Sequence, residues 1–274
     1  MHYIPPDSFY PTDEYKTKKM VFRKIDGGDG IKYRIGFNET ISGRFTFPKN
    51  SPHDVAVPQN FYIAIFATTK GQWRRIMGDS TADNGTPVCD TSYNTIRGSA
   101  GAAATPSTGI IANLNAKTQA NGFDLGAGFD LPTESMWEIA ARAGTTTRNH
   151  WGDDLSAATF GKYAVYVGNA SSLQKVGTKE PNQWGIYDMI GNAWNYCRDV
   201  GRTASTDLAT LTEQAGNALK PRTTGRAGYI VIRGGGYYDQ TNTDRPDTWT
   251  SGAWVEWTGS SGSSGAGFRL AYFK

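Results

Sequence analysis

Apolar and polar positions along this chain fall into short runs punctuated by glycine and proline, and sustained helical periodicity is scarce. Seven runs are short and aromatic, several with β-branched residues, which predicts strands: YRIGF (33–37), VAVP (55–58), FYIAIF (61–66), GIYDM (185–189), AWNYCRD (193–199), YIVIRGG (229–235) and GFRLAYF (267–273). Two segments carry a helical stripe. In the first, Thr69 predicts an N-cap, Gln72 its reciprocal partner and Gly78 the stop, with Trp73, Ile76 and Met77 on one face. In the second, Thr133 caps, Glu134 occupies the electropositive first turn and Gly144 ends the helix. Its packing stripe is Trp137, Ala140 and Ala141. A third, shorter helix is predicted over 111–118, and the rest of 80–130, rich in Ala, Gly, Thr and Asn, reads as ordered loop. Neither a fixed-period repeat nor a linker divides the chain. The pattern predicts one domain over 20–274 preceded by an arm or tail over 1–19.

Composition narrows the function classes. A chain of 274 residues can bury a core without disulfides, and 19% charged with 12% aromatic residues excludes a disordered or coiled-coil chain. Twenty-eight basic and 25 acidic residues are interspersed, a balance that argues against nucleic acid or acidic lipid as the partner. Cys89 and Cys197 can form at most one disulfide and cannot build a cysteine-rich metal site. No apolar run is long enough to insert in a membrane, and the first residues lack the apolar core of a secretion signal. No Gly-x-Ser-x-Gly, phosphate-loop or His-Glu-x-x-His pattern is present. Asp153 and Asp154 could do acid–base work, although adjacent acids in a loop usually face water or a metal. Trp137 and Trp194 read as core, Gly191, Gly234 and Gly235 as backbone requirements, and Arg233 and Arg269 as bridges to buried acceptors, with Glu138 a partner.

Six blocks in order resemble the formylglycine-generating-enzyme, or sulfatase-modifying-factor, family. They are FYIAIFATTKGQWRRIMG (61–78), PVCDTSYNTIRG (87–98), FDLPTESMWEIAARAG (129–144), PNQWGIYDMIGNAWNYCRD (181–199), VIRGGGYY (231–238) and GFRLA (267–271). The resemblance covers roughly 30–272 and implies an irregular α+β, C-type-lectin-like fold with few helices, short antiparallel strands and much ordered loop. It also implies copper-dependent oxidation of a substrate cysteine by two cysteines shortly before the closing GFR. This chain has no cysteine from 198 to 274. The related sulfoxide synthases use a histidine iron site, and His2, His53 and His150 are too few and too scattered for one. The expectation is a retained fold without the chemistry, hence no enzyme and no required cofactor. Family calcium ligands map onto Asp188, Gly191, Ala193 and Asn195. Asn195 replaces the usual acid, so a structural calcium would be held weakly or not at all.

The segment between RGG and GFR is rich in Tyr, Trp, Ser, Gly, Asn and Thr, with five Ser and five Gly in 251–267. These are the residues of adaptable combining loops. Its place and composition resemble the variable proteins of diversity-generating retroelements, in which a reverse transcriptase rewrites template adenines. That resemblance implies a variable region over about 231–268. Codons of AAY type reach Tyr, Asp, Ser, Thr, Gly and Ala but not Trp, Gln or Glu. Tyr237, Tyr238, Asp239, Thr241, Asn242, Thr243 and Asp244, with some of Ser251, Ser260, Ser261, Ser263 and Ser264, are therefore the candidate variable positions. Trp249, Trp254, Glu256 and Trp257 read as fixed residues that still line the site. The expected function is non-enzymatic binding of a macromolecule, a cell-surface protein or glycan, from a virion-associated or cell-surface setting, with oligomeric or multivalent display. A carbohydrate-binding lectin module and a divergent copper oxidase are the rival readings.

Overall fold

Thr69 and Gln72 bond reciprocally across the first turn of helix α2 (Lys70–Met77), and Gly78 closes it in the left-handed conformation at φ 94°. The computed structural model describes residues 12–37, 50–78, 84–98, 101–124, 126–202, 216–237, 250–251 and 254–273. Ile76 faces the core as the stripe predicts and Trp73 packs edge-on against Phe268, but Met77 is 54% exposed. Met77 lies seven residues from Lys70 and three from Arg74, which puts it on the outer stripe of the helix.

The other helices are α1 (Asp13–Thr17), α3 (Tyr93–Arg97), α4 (Gly109–Ala120), α5 (Glu134–Arg142) and α6 (Ala157–Tyr163). α4 contains the helix predicted over 111–118 and runs two residues further at each end, while α3 falls in the part of 80–130 read as loop. α4 carries only Ile110, Ile111 and Leu114 as apolar anchors, too thin a stripe to extend it beyond 111–118 from sequence. α1 belongs to the segment read as an arm. It is docked on α2: Gln72 Nε2 donates to the carbonyls of Tyr15 and Lys19, and Thr69 Oγ1 donates to that of Lys16. Helix α5 starts at Thr133 as predicted, with Thr133 accepting from Met136 N, but Ala143 at φ 49° already takes the left-handed turn ahead of Gly144. All nine of its residues are buried, so it is a central rod rather than a one-faced helix.

Among the described residues ten strands form three sheets: β1 (Phe22–Ile25), β2 (Lys32–Phe37), β3 (Asn50–Ala56), β4 (Phe61–Ala64), β5 (Phe129–Asp130), β6 (Trp194–Gly201), β7 (Arg226–Arg233), β8 (Trp254–Thr258), β9 (Ala266–Gly267) and β10 (Ala271–Phe273). The first sheet runs β1-β4-β10-β5, the second pairs β2 with β3, and the third runs β8-β7-β6-β9. Every pairing is antiparallel except β6 with β9. The predicted strand 267–273 is divided: Gly267 lies beside Asn195 in the third sheet and Ala271 beside Ile63 in the first. The GIYDM run forms no strand. The Asn182 amide holds it, accepting from Trp184 N and Ile186 N and donating to the Ala140 carbonyl of α5, so side-chain bonds replace a ladder.

Two cores result. One surrounds Trp137 and Met136 with Phe61, Ile63, Ile186 and Val231. The other joins α3 and α4 to the opposite side of β6 and β7 through Ile96, Ile111, Tyr196, Ile232, Phe268 and Leu270.

Candidate functional site

The C-terminal face rests on a buried ion network that α5 presents to β6 and β7. Glu134 meets Arg202, Arg222 at 3.2 Å and Arg233 at 3.1 Å, while Glu138 holds Arg142 and Arg233 at 2.8 Å each. Burial pushes the Glu134 carboxyl up, but the guanidiniums of Arg202, Arg233 and Arg222 overcome it and hold the group down at about 2. Arg233 thus has the acidic partner expected of it. Arg269 bonds instead to Asn195 Oδ1 at 2.6 Å and to the carbonyls of Ala64, Tyr187 and Asp188.

Above this network the variable candidates separate by depth. Ser251 is fully buried, with its amide donating to Arg148 O and its carbonyl accepting from Arg233. Trp254 is 5% exposed, turned inward beneath the Arg202 guanidinium at 4.1 Å from its ring centre. These two positions were read as lining a solvent-facing site, and the structure corrects that. A residue opposite Arg233 in the β7–β8 register faces the α5 side of the sheet, where Trp137 and Val231 pack. Glu256 and Trp257 are half-buried. Glu256 pairs with Arg226 at 3.4 Å, and Trp257 Nε1 donates to Ser261 O at 3.1 Å.

The serine run forms a pinned turn. Asp90 N donates to Ser263 O at 2.9 Å, Asn94 N to Gly259 O at 3.1 Å, and Trp194 N to Gly265 O at 2.9 Å. Ser260, Ser261 and Ser264 project into solvent and Ser263 is half-buried. Tyr237 lies at the other end of the segment. Its amide donates to Asn192 O at 2.9 Å, and a side chain grown on the preceding Gly236 would reach both Trp194 and Gly265 O. Both ends of the segment therefore converge on Trp194. Tyr237, Val167, Asn169, Ala170 and Ser171 line an open cleft of about 490 Å³.

Asn192, in the left-handed conformation at φ 59°, ties the walls of this cleft together. Its amide bonds Gln174 N and Gln174 O while its carbonyl takes Tyr237 N. Sequence reasoning missed the 167–171 wall, because a loop of small residues carries no periodic signal. Only the Asn192 position, flanked by the glycine and tryptophan of GNAW, could have pointed to it. Tyr238, Asp239, Thr241, Asn242, Thr243, Asp244 and Trp249 lie outside the described residues.

At three of the four expected calcium positions the oxygens already have partners. Asn195 Oδ1 accepts from Trp137 Nε1 and Arg269 Nε, Ala193 O accepts from Asn195 Nδ2, and Asp188 offers Oδ2 to Gly177 N and its carbonyl to Arg269. A guanidinium stands among these acceptors, and the set as placed does not fit a divalent ion. Copper fares no better. Cys89 and Cys197 are free thiols buried in separate surroundings, and burial pushes Cys89 up to about 12 and Cys197 well above its ordinary value. Among the described residues no cluster of three His, Cys, Asp or Glu side chains could hold a metal. Asp153 and Asp154 serve loop structure, accepting from Arg148 N and from Ser156 and Thr159 respectively.

The chain is similar to formylglycine-generating enzymes of Streptomyces coelicolor, 30% identical over 123 residues, and Mycobacterium tuberculosis, 42% identical over 81 residues. These matches take in 40% and 26% of this chain and only 37% and 27% of the two relatives. The solved structure of Treponema denticola variable protein 1 has the same fold, with a TM-score of 0.69 at 21% identity, covering 92% of this chain and 95% of that one. The sulfatase-modifying factor enzyme 1-like domain matches residues 11–273, so from the docked α1 to the final strand the chain belongs to that family.

Proposed function

We propose that this chain is a non-enzymatic binding protein whose C-terminal segment, about 231–268, is rewritten by a retroelement and meets a macromolecular partner, a cell-surface protein or glycan. The observation that carries this reading is the serine turn. Its backbone is fixed through Asp90, Asn94 and Trp194, while the Ser260, Ser261 and Ser264 hydroxyls face water. Side chains on such a turn can be exchanged without disturbing the scaffold, which a diversified surface requires. The Tyr237 cleft adds a concave, aromatic-edged neighbour at the other end of the same segment. The Treponema denticola variable protein fold supports the reading, and so does the burial of both thiols.

Two experiments test it. Sequencing around the gene should find a near-copy of the region encoding 231–268 and a reverse transcriptase; their absence overturns the diversification. Incubation with copper and a cysteine-containing peptide should give no oxygen uptake and no aldehyde, and turnover of that peptide would restore the oxidase reading.

A further inference from the structure

Beneath the C-terminal face several deeply buried donors have no hydrogen-bond partner among the described residues. Arg202 is 1% exposed and gives Nε and Nη2 to Glu134, but its Nη1 has no hydrogen-bond partner among the described residues. Trp254 Nε1, Thr250 Oγ1, Ser251 Oγ and the Asn149 side-chain amide are buried and equally unpartnered there. These groups share one neighbourhood. The Arg202 guanidinium lies 4.1 Å from the Trp254 ring centre, and Trp254 stands opposite Arg233 in the β7–β8 register. Arg233 Nη1 donates to Ser251 O, and Ser251 N donates to the carbonyl of Arg148, the residue before Asn149. The same Glu134 oxygen contacts Arg202 and Arg233. One nearby carboxylate oxygen, Glu256 Oε1, is also unpartnered; it lies two residues further along β8 from Trp254, and its other oxygen is held by Arg226.

The charge of the neighbourhood has a sign. Among the described residues four guanidiniums, Arg142, Arg202, Arg222 and Arg233, converge on Glu134, Glu138 and Asp199. Arg233, touching two carboxylates, keeps a raised pKa despite its burial. Arg202, touching one, is pulled by burial down to about 10. A buried N–H left dry forfeits its hydration with nothing in return, and among the described residues of this neighbourhood guanidiniums outnumber carboxylates.

We infer that Arg202 Nη1, Trp254 Nε1 and the Thr250 and Ser251 hydroxyls form a socket for a small inorganic anion of chloride size, taken up as the chain folds. The donors are one charged N–H, one indole N–H and two hydroxyls, the groups that stabilise a monovalent anion without a metal. The socket lies below the solvent-facing serine turn and does not depend on what that turn binds.

Bromide tests the site directly in the whole protein. Crystals grown in sodium bromide should give an anomalous scattering peak at the edge of the Arg202–Trp254 stack, beside Arg202 Nη1 and Trp254 Nε1, and the unfolding temperature should rise by about 2–4 °C when chloride or bromide replaces gluconate at equal ionic strength. W254F keeps the ring and removes the N–H; it should weaken the halide dependence at least tenfold in apparent Kd. A variant that fails to fold leaves the wild-type crystal and melting measurements decisive. Ordered waters without an anomalous signal, or equal melting temperatures in halide and gluconate, overturn the proposal.

Discussion

Glu134 shows how much a single side chain holds in this molecule. It sits one position inside the N-terminus of α5, its backbone N–H donates to Asp199 and its carboxylate gathers three arginines. Glu134→Gln leaves those guanidiniums without their shared counter-charge and should cost about 3–5 kcal/mol in chemical denaturation. Titration carries the same signature. Glu134 is held down to about 2 in the folded chain, below its ordinary carboxylate value, so its contribution is complete above that ordinary value and is lost as pH falls toward 2. His150 adds a second step. Burial lowers its imidazole to about 4, so the unfolded chain takes up the proton first and stability declines from about pH 6.5 down to 4. His150→Phe, in a position edge-on to Trp151 and Tyr163, should flatten that upper step and leave the lower one, as melting curves across pH would show. The caps at Thr69 and Thr133 were legible because capping is local. The partners of Arg233 and Arg269 were only half legible, because such partners lie tens of residues away and no spacing rule selects Glu138 over Asn195.

At the level of elements, strands were legible where their own side chains fill a core and illegible where context makes them. β4 and β7 are apolar runs that any reading finds. β8 reads as a Trp-rich loop until β7 lies beside it, and GIYDM reads as a strand until the Asn182 amide takes its backbone groups. The serine run was read as surface, yet what fixes it is the backbone of 90–94, which no composition argument could supply. Gly234 illustrates a position where backbone geometry decides. It sits at φ 99°, and an added Cβ would lie 2.6 Å from Met189 O and 3.0 Å from the Trp137 ring. A strain-free glycine-to-alanine exchange raises stability by up to ~1 kcal/mol; Gly234→Ala should instead lower it by more than that amount, with the loss visible in the denaturant midpoint.

Across the whole molecule, depth divides the C-terminal segment into positions that can change and positions that cannot. Substituting Ser260, Ser261 or Ser264 by Asn or Tyr should move stability by no more than about 0.5 kcal/mol. Trp254→Ala should cost about 3–5 kcal/mol, because it opens a cavity under Arg202. Parallel melting curves of the four variants check this, and a serine variant as damaging as Trp254→Ala would contradict the pinned-turn reading. The fold as a whole was legible because six blocks in order are a global signal, whereas the 167–171 wall of the cleft is local and featureless.

The order of synthesis gives the last two strands an unexpected role. β10 lies between β4 and β5 inside the first sheet, and β9 closes one edge of the third. Both follow the serine turn in the chain, so a ribosome must read through that turn and everything before it before either sheet can be finished. A shifted frame or a stop codon anywhere ahead of them yields a polypeptide missing an interior ribbon, and such a product cannot reach the native state. Completion of the tertiary structure thus depends on the whole of the preceding chain having been read in frame.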